Sequence, residues 1–146
     1  FTLAPKLELA FNEKAILFKE INEGEAVNRK EITGKYILHC IKNQNNRGQW
    51  MTETPSKGGA FSTVGFGFSC KDNYTPYTIT AKKDNVAHDN GKHYVTDSEL
   101  CKIGSYPLDY NKLKNDMGYL IGMSVPPVMT AQIASRIYEQ WISKLK

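Results

Sequence analysis

Cysteine is scarce: Cys40, Cys70 and Cys101 are the three in the chain, widely spaced and with no Cys-x-x-Cys pair. That excludes a disulfide framework, offers no zinc-site spacing and points to a reducing, cytoplasmic compartment. The three histidines, His39, His88 and His93, have no third ligand beside them in sequence, which argues against a metal centre. No apolar stretch approaches the length of a membrane span, so no membrane partner is expected. Phe1 to Ala10 lack a basic region followed by an apolar run, which excludes a secretory signal. An internal repeat is missing too, and the short amide run Asn43-Gln44-Asn45-Asn46 is the nearest thing to a low-complexity tract. The first residue is not Met, and a fragment or a processed product is expected.

What is present suits one domain: 146 residues, 40% hydrophobic and 23% charged. This is enough length for a core and too little for a catalytic domain together with a recognition domain. The net charge of +4 is compatible with phosphate contacts but is shared by many proteins that never meet nucleic acid.

Along the chain, Phe1 to Leu9 reads as an extended entry segment, because Pro5 biases its neighbour away from helix. Between Asn12 and Glu25 only Ile16, Leu17, Phe18 and Ile21 are candidates for burial, in short or irregular structure. From Ile32 to Asn46 the apolar residues fit a helical face through Tyr36, Ile37, Cys40 and Ile41, and also a strand alternation; helix is favoured. The Asn and Gly residues up to Gly48 end it. From Trp50 to Ala81 glycines interrupt β-branched and aromatic residues, and Val64, Phe66, Phe68 and Cys70 alternate, which predicts twisted, turn-rich β structure. Tyr77 to Ala81 is a second strand or strand-like loop, and His88-Asp89-Asn90-Gly91 is a hairpin turn. Gly65-Phe66-Gly67-Phe68 superficially echoes a cofactor loop, but no helix signal follows it, and it is rejected as one. Thr96-Asp97-Ser98-Glu99 fits a capping box opening a short helix, with Leu100 and Ile103 buried and Gly104 as its stop.

The last part of the chain predicts a long amphipathic helix. Ser124 suits an N-cap and the prolines behind it suit a first helical turn, so the helix should begin near Val125. Met129, Ile133, Ile137, Trp141 and Leu145 repeat every fourth residue, widened by Ala134, Tyr138 and Ile142. On its own this pattern describes a terminal core helix with no other duty.

Gly122-Met123-Ser124-Val125-Pro126-Pro127 after Tyr119, running into that helix, resembles motif X of the DNA (cytosine-5) methyltransferases, usually Gly-Asn-Ser-Val or Gly-Asn-Ala-Val. Val95 to Tyr110, with Gly104-Ser105-Tyr106-Pro107, resembles the family's motif IX, although the customary Arg before the helix is replaced by Lys92 or His93 nearby. Lys57-Gly58-Gly59 and Tyr77-Thr78-Ile79-Thr80-Ala81 look like the two DNA-facing loops of the target recognition region. Without those neighbours the same residues describe a plain hairpin turn and a Thr-rich strand. The resemblance covers nearly the whole chain but only the C-terminal part of the family's architecture. The family's nucleophile follows a Pro, whereas His39, Ser69 and Leu100 precede the cysteines here, so none is that nucleophile. The Glu-Asn-Val motif and the Arg-rich motif are absent as well.

The resemblance implies an α+β fold: a small twisted β-rich target recognition domain with short helices (1–118, including motif IX), then the motif X loop and a C-terminal helix that packs on the catalytic domain (119–146). It implies DNA contacts from Lys57, Gly58, Gly59, Thr78, Ile79 and Thr80, and one wall of an S-adenosylmethionine pocket from Met123, Ser124 and Val125. Met123 stands where an Asn is usual, so that polar contact is missing or is made by backbone. The implied partners are duplex DNA and a catalytic domain or large subunit carrying the Pro-Cys motif, with self-association through the last helix if that partner is absent. The alternative is a non-catalytic DNA-binding or partner-binding module.

Overall fold

The computed structural model describes residues 6–11, 14–50, 53–55, 61–63, 67–81, 85–110 and 116–145. Among these the helices are α1 (Phe18–Ile21), α2 (Lys35–Lys42), α3 (Asp97–Ile103), α4 (Met117–Gly122) and α5 (Pro127–Gln140), followed by a 3-10 turn, Ile142–Lys144. The strands are β1 (Glu53–Pro55), β2 (Phe61–Thr63), β3 (Phe68–Ser69) and β4 (Val86–Ala87). The fold is α+β, but with far shorter ladders than the glycine and β-branched pattern predicts. β1 and β2 pair antiparallel, Glu53 opposite Thr63, and β3 and β4 pair parallel, Phe68 opposite Val86. Single bridges extend the second pair: Gln49 beside Phe68 and Ala87 beside Tyr94.

β4 separates two apolar clusters, because successive residues of a strand face opposite ways. Val86 belongs to the cluster of Phe18, Phe68, Leu100, Tyr106 and Ile121, and Ala87 to the cluster of Ile32, Cys40, Ile41, Trp50 and Tyr94. The same division explains β3. Phe68 enters the first cluster, while buried Ser69 takes a 3.2 Å hydrogen bond from the Trp50 indole of the second. Phe68 and Cys70 of the expected alternation share the first cluster with Ser69 turned away between them, while Val64 and Phe66 lie outside the described residues. Gly67 lies directly under Trp50, where a Cβ would fall 2.0 Å from the indole ring.

Local signals fare better. α2 carries Ile37, Cys40 and Ile41 into the second cluster, while Tyr36 stays exposed. Thr96 Oγ1 accepts from the Glu99 amide and the Glu99 carboxylate accepts from the Thr96 amide, so the expected capping box is present. The His88 to Gly91 turn closes with the His88 amide donating to the His93 carbonyl at 2.8 Å, and Gly91 has a φ of 66°.

The region read as a turn from Tyr119 begins as helix. The Asp116 carboxylate caps α4 by accepting from the Tyr119 amide, so the boundary expected at 118/119 falls inside α4. α5 starts at Pro127 with Pro126 as its N-cap, and the Ser124 side chain does not cap it. The Ser124 hydroxyl instead donates back to the Leu120 and Ile121 carbonyls at the end of α4. The expected capping role passes to Ser105, whose Oγ accepts from the Val128 amide at 3.2 Å.

Candidate recognition and cofactor face

Three segments converge on one cleft of about 210 Å³: Pro76 to Ile79, the end of α3 at Ile103 and Gly104, and Ile121, Gly122, Ser124 and Pro126 of the turn, with Met123 and Val125 outside its lining. Their approach is set by glycine. A Cβ on Gly122 would lie 2.3 Å from the Thr80 carbonyl carbon and oxygen, and one on Gly104 would lie 2.6 Å from Ile121 Cγ2. Backbone therefore packs against backbone where the Thr-rich segment meets α4. Two hydrogen bonds then fix the turn to the segment after α3: Ser105 with the Val128 amide, and the Tyr106 hydroxyl donating to the Val125 carbonyl at 3.2 Å. Ser105 reaches this position through a left-handed backbone, φ 57°.

The candidate residues divide by exposure. Thr78 is exposed, whereas Ile79 is only 6% exposed and belongs to the first apolar cluster, so its side chain points inward. Thr80 is half-buried, with its hydroxyl accepting from Asn85 Nδ2 at 3.5 Å. Lys57, Gly58 and Gly59 lie outside the described residues. Met123 and Val125 are exposed large apolar residues, and Ser124 between them is exposed too. With its proton committed to α4, the Ser124 hydroxyl can still accept a hydrogen bond. Of the three, Ser124 alone lines the cleft, while Met123 and Val125 face outward beside it. Among the described residues the cleft lining carries no carboxylate, ammonium or guanidinium group.

Ser105, Tyr106 and Arg47 belong to this neighbourhood and are not singled out as site residues by their sequence. Arg47 stacks over Tyr74 and over Tyr77, which lines the cleft.

The cysteines are buried. Burial pushes the thiols of Cys70 and Cys101 up, reinforced by nearby carboxylates, so neither offers a reactive thiolate. His88 is a structural group: Nε2 lies 3.1 Å from Asn22 Oδ1 and Nδ1 accepts from the Asn90 amide, which fits a neutral ring. Its pKa is held down by burial and by the Arg29 charge, against the pull of nearby carboxylates.

α5 carries its neighbours on an unexpected side. The Gln140 amide exchanges two 2.9 Å hydrogen bonds with the Glu8 backbone, and Arg136 donates to the Ala10 carbonyl. The entry segment thus lies on the polar side of the helix. None of the 14 residues of α5 is buried, and Met129, Tyr138 and, beyond its end, Leu145 at 78% are exposed. No helix among the described residues is long and apolar enough to cross a membrane.

Comparison with known protein families, with curated proteins and with solved structures finds no match to this chain.

Proposed function

We propose that this chain is the DNA-recognition and cofactor-pocket-completing part of a DNA (cytosine-5) methyltransferase, inactive alone, acting in the cytoplasm with a catalytic chain that carries the Pro-Cys nucleophile. On this reading the residues before α4 form the twisted target recognition domain, and the Met123 to Val125 turn faces the cofactor. The observation that carries it is α5, a 14-residue helix without one buried residue, whose stripe has Met129 exposed and Ile133 and Ile137 only half-buried and follows directly on the exposed Met123-Ser124-Val125 turn. A face of that kind needs cover, since burying each large apolar side chain fully is worth roughly 1.5–3 kcal/mol. A catalytic domain docked on α5 would supply the cover and meet the turn at the same time.

S-adenosylmethionine, when bound, supplies the methyl group. This chain's part is to close one side of its pocket: Met123 and Val125 exclude water, and Ser124 Oγ accepts a hydrogen bond. The Ser105 and Tyr106 contacts hold that turn against the segment after α3, and Gly122 lets it approach the segment bearing Thr78, whose hydroxyl reaches toward DNA. The buried cysteines support assigning the chemical step to the partner chain.

The test is binding of the isolated chain to duplex DNA by fluorescence anisotropy across a salt series. Weak affinity that falls steeply as salt rises is expected, because phosphate contacts dominate when the catalytic half is absent. An affinity indifferent to salt, or no binding even at low salt, overturns the DNA reading.

A further inference from the structure

We propose that Arg47 is a base-reading residue of the DNA-facing surface, donating from its guanidinium to the major-groove edge of a guanine; this rests on the DNA reading above. The Arg47 guanidinium carbon lies 5.6 Å from the Tyr74 ring centroid and 5.4 Å from that of Tyr77. Tyr77 is itself held edge-on against buried Phe68, with centroids 5.6 Å apart. The arginine therefore packs on an aromatic support rooted in the core, one residue from exposed Thr78.

The backbone beneath it is fixed as well. Asn45 Oδ1 accepts from the Arg47 and Gln49 amides, both at 3.0 Å, and the Gly48 carbonyl accepts from the Ser69 amide of β3 at 2.8 Å. Gly48 adopts φ 88°, and a Cβ there would sit 2.1 Å from the Ser69 carbonyl oxygen. The turn is thereby pressed onto β3 and cannot drift.

Charge separates Arg47 from its neighbours. Lys71, beside Gly48, is paired with Asp89 at 3.0 Å, whereas the Arg47 side chain has no ion pair or hydrogen bond among the described residues. An arginine stacked on rings keeps its N–H edge free, and that rigid fork matches the paired O6 and N7 acceptors of guanine. A phosphate contact needs no such preorganisation, because any flexible lysine can make one.

The experiment is selection from a randomised duplex DNA pool with the wild-type chain at low salt, followed by anisotropy on the enriched duplex. The wild type should enrich a G·C pair at one position. Replacing that guanine by 7-deazaguanine, which lacks the N7 acceptor, should weaken wild-type binding and leave Arg47→Ala unaffected. Arg47→Lys keeps the charge but loses the fork, and should lower discrimination at that position about 5- to 150-fold while other positions keep their preference. Circular dichroism confirms that each variant is folded, and Tyr74→Phe, which keeps the ring, should bind as wild type does. If 7-deazaguanine binds the wild type as well as guanine does, or Arg47→Ala weakens all sequences equally, Arg47 is a phosphate contact and the proposal fails while the DNA reading stands. Absence of any DNA binding by the wild type defeats both.

Discussion

Arg29 and Glu99, 70 residues apart, form an ion pair at 2.6 Å with side chains 3% and 0% exposed. The same carboxylate accepts from the Glu23 amide at 3.0 Å and the Thr96 amide at 2.9 Å. Glu23 in turn accepts from the Thr96 hydroxyl and from Lys102. One buried carboxylate thus ties the 22–29 segment to the start of α3, and α3 leads into the segment that grips the Ser124 turn. Burial pushes the Glu99 carboxyl up, but the Arg29 hydrogen bond and the two amides outweigh it and hold it below its usual range.

Removing that charge leaves Arg29 buried without compensation. Glu99→Gln should lower the unfolding free energy by about 3–5 kcal/mol, measured by urea denaturation. A loss below about 1 kcal/mol, the range of an exposed pair, would show that water screens the pair.

His88 gives the chain a dependence on pH. Its folded pKa lies below the ordinary 6.5, so the unfolded chain takes up the proton first. Its contribution is therefore fully present above pH 6.5 and is lost as pH falls through the lowered folded value. Glu99, also depressed, adds a second loss below its ordinary 4.5. Denaturation midpoints followed against pH should fall in two stages. His88→Gln should abolish the upper stage and keep the lower, and a variant that retains both would assign the upper stage elsewhere.

Capping of α5 separates two serines. Ser105→Ala removes the acceptor for the Val128 amide and should cost about 1 kcal/mol, with faster amide exchange at the start of α5. Ser124→Ala should cost less, because its hydroxyl serves carbonyls at the end of α4 that also lie near solvent. Equal losses would mean that Ser124 supports α5 after all.

Without a catalytic partner, the face of Met129, Ile133, Ile137, Trp141 and Leu145 should drive self-association. Sedimentation velocity should show the unmodified chain associating as concentration rises, and Trp141→Glu should remain monomeric with its β structure intact by circular dichroism. A wild-type chain that stays monomeric at high concentration would remove the need for a partner on this face.

The sequence made legible whatever is decided within a few residues: the Thr96 to Glu99 box, the face of α2, the His88 to Gly91 turn and the amphipathic stripe of α5. It failed where the deciding partner is distant. Nothing local in sequence marks Arg29 as the mate of Glu99, 70 residues away. Ser124 has the right residue type for a cap, yet Ser105, 23 residues earlier, holds the better position. Alternation marks Phe68 and Cys70, but nothing local shows that β3 pairs in parallel with β4. Of the site, the resemblance puts Thr78 and the Ser124 turn in separate parts and gives no reason to expect them in one cleft; Ile79 fills the core, and Arg47 became visible only through its two tyrosines.

The most direct test is methyl transfer. The chain is coexpressed with any candidate polypeptide bearing the Pro-Cys motif and supplied with duplex DNA and S-adenosylmethionine carrying a labelled methyl group. Label should appear at carbon 5 of cytosine when both chains are present and with neither chain alone. Methylation by this chain by itself, or label transferred equally well by the partner without it, would contradict the account.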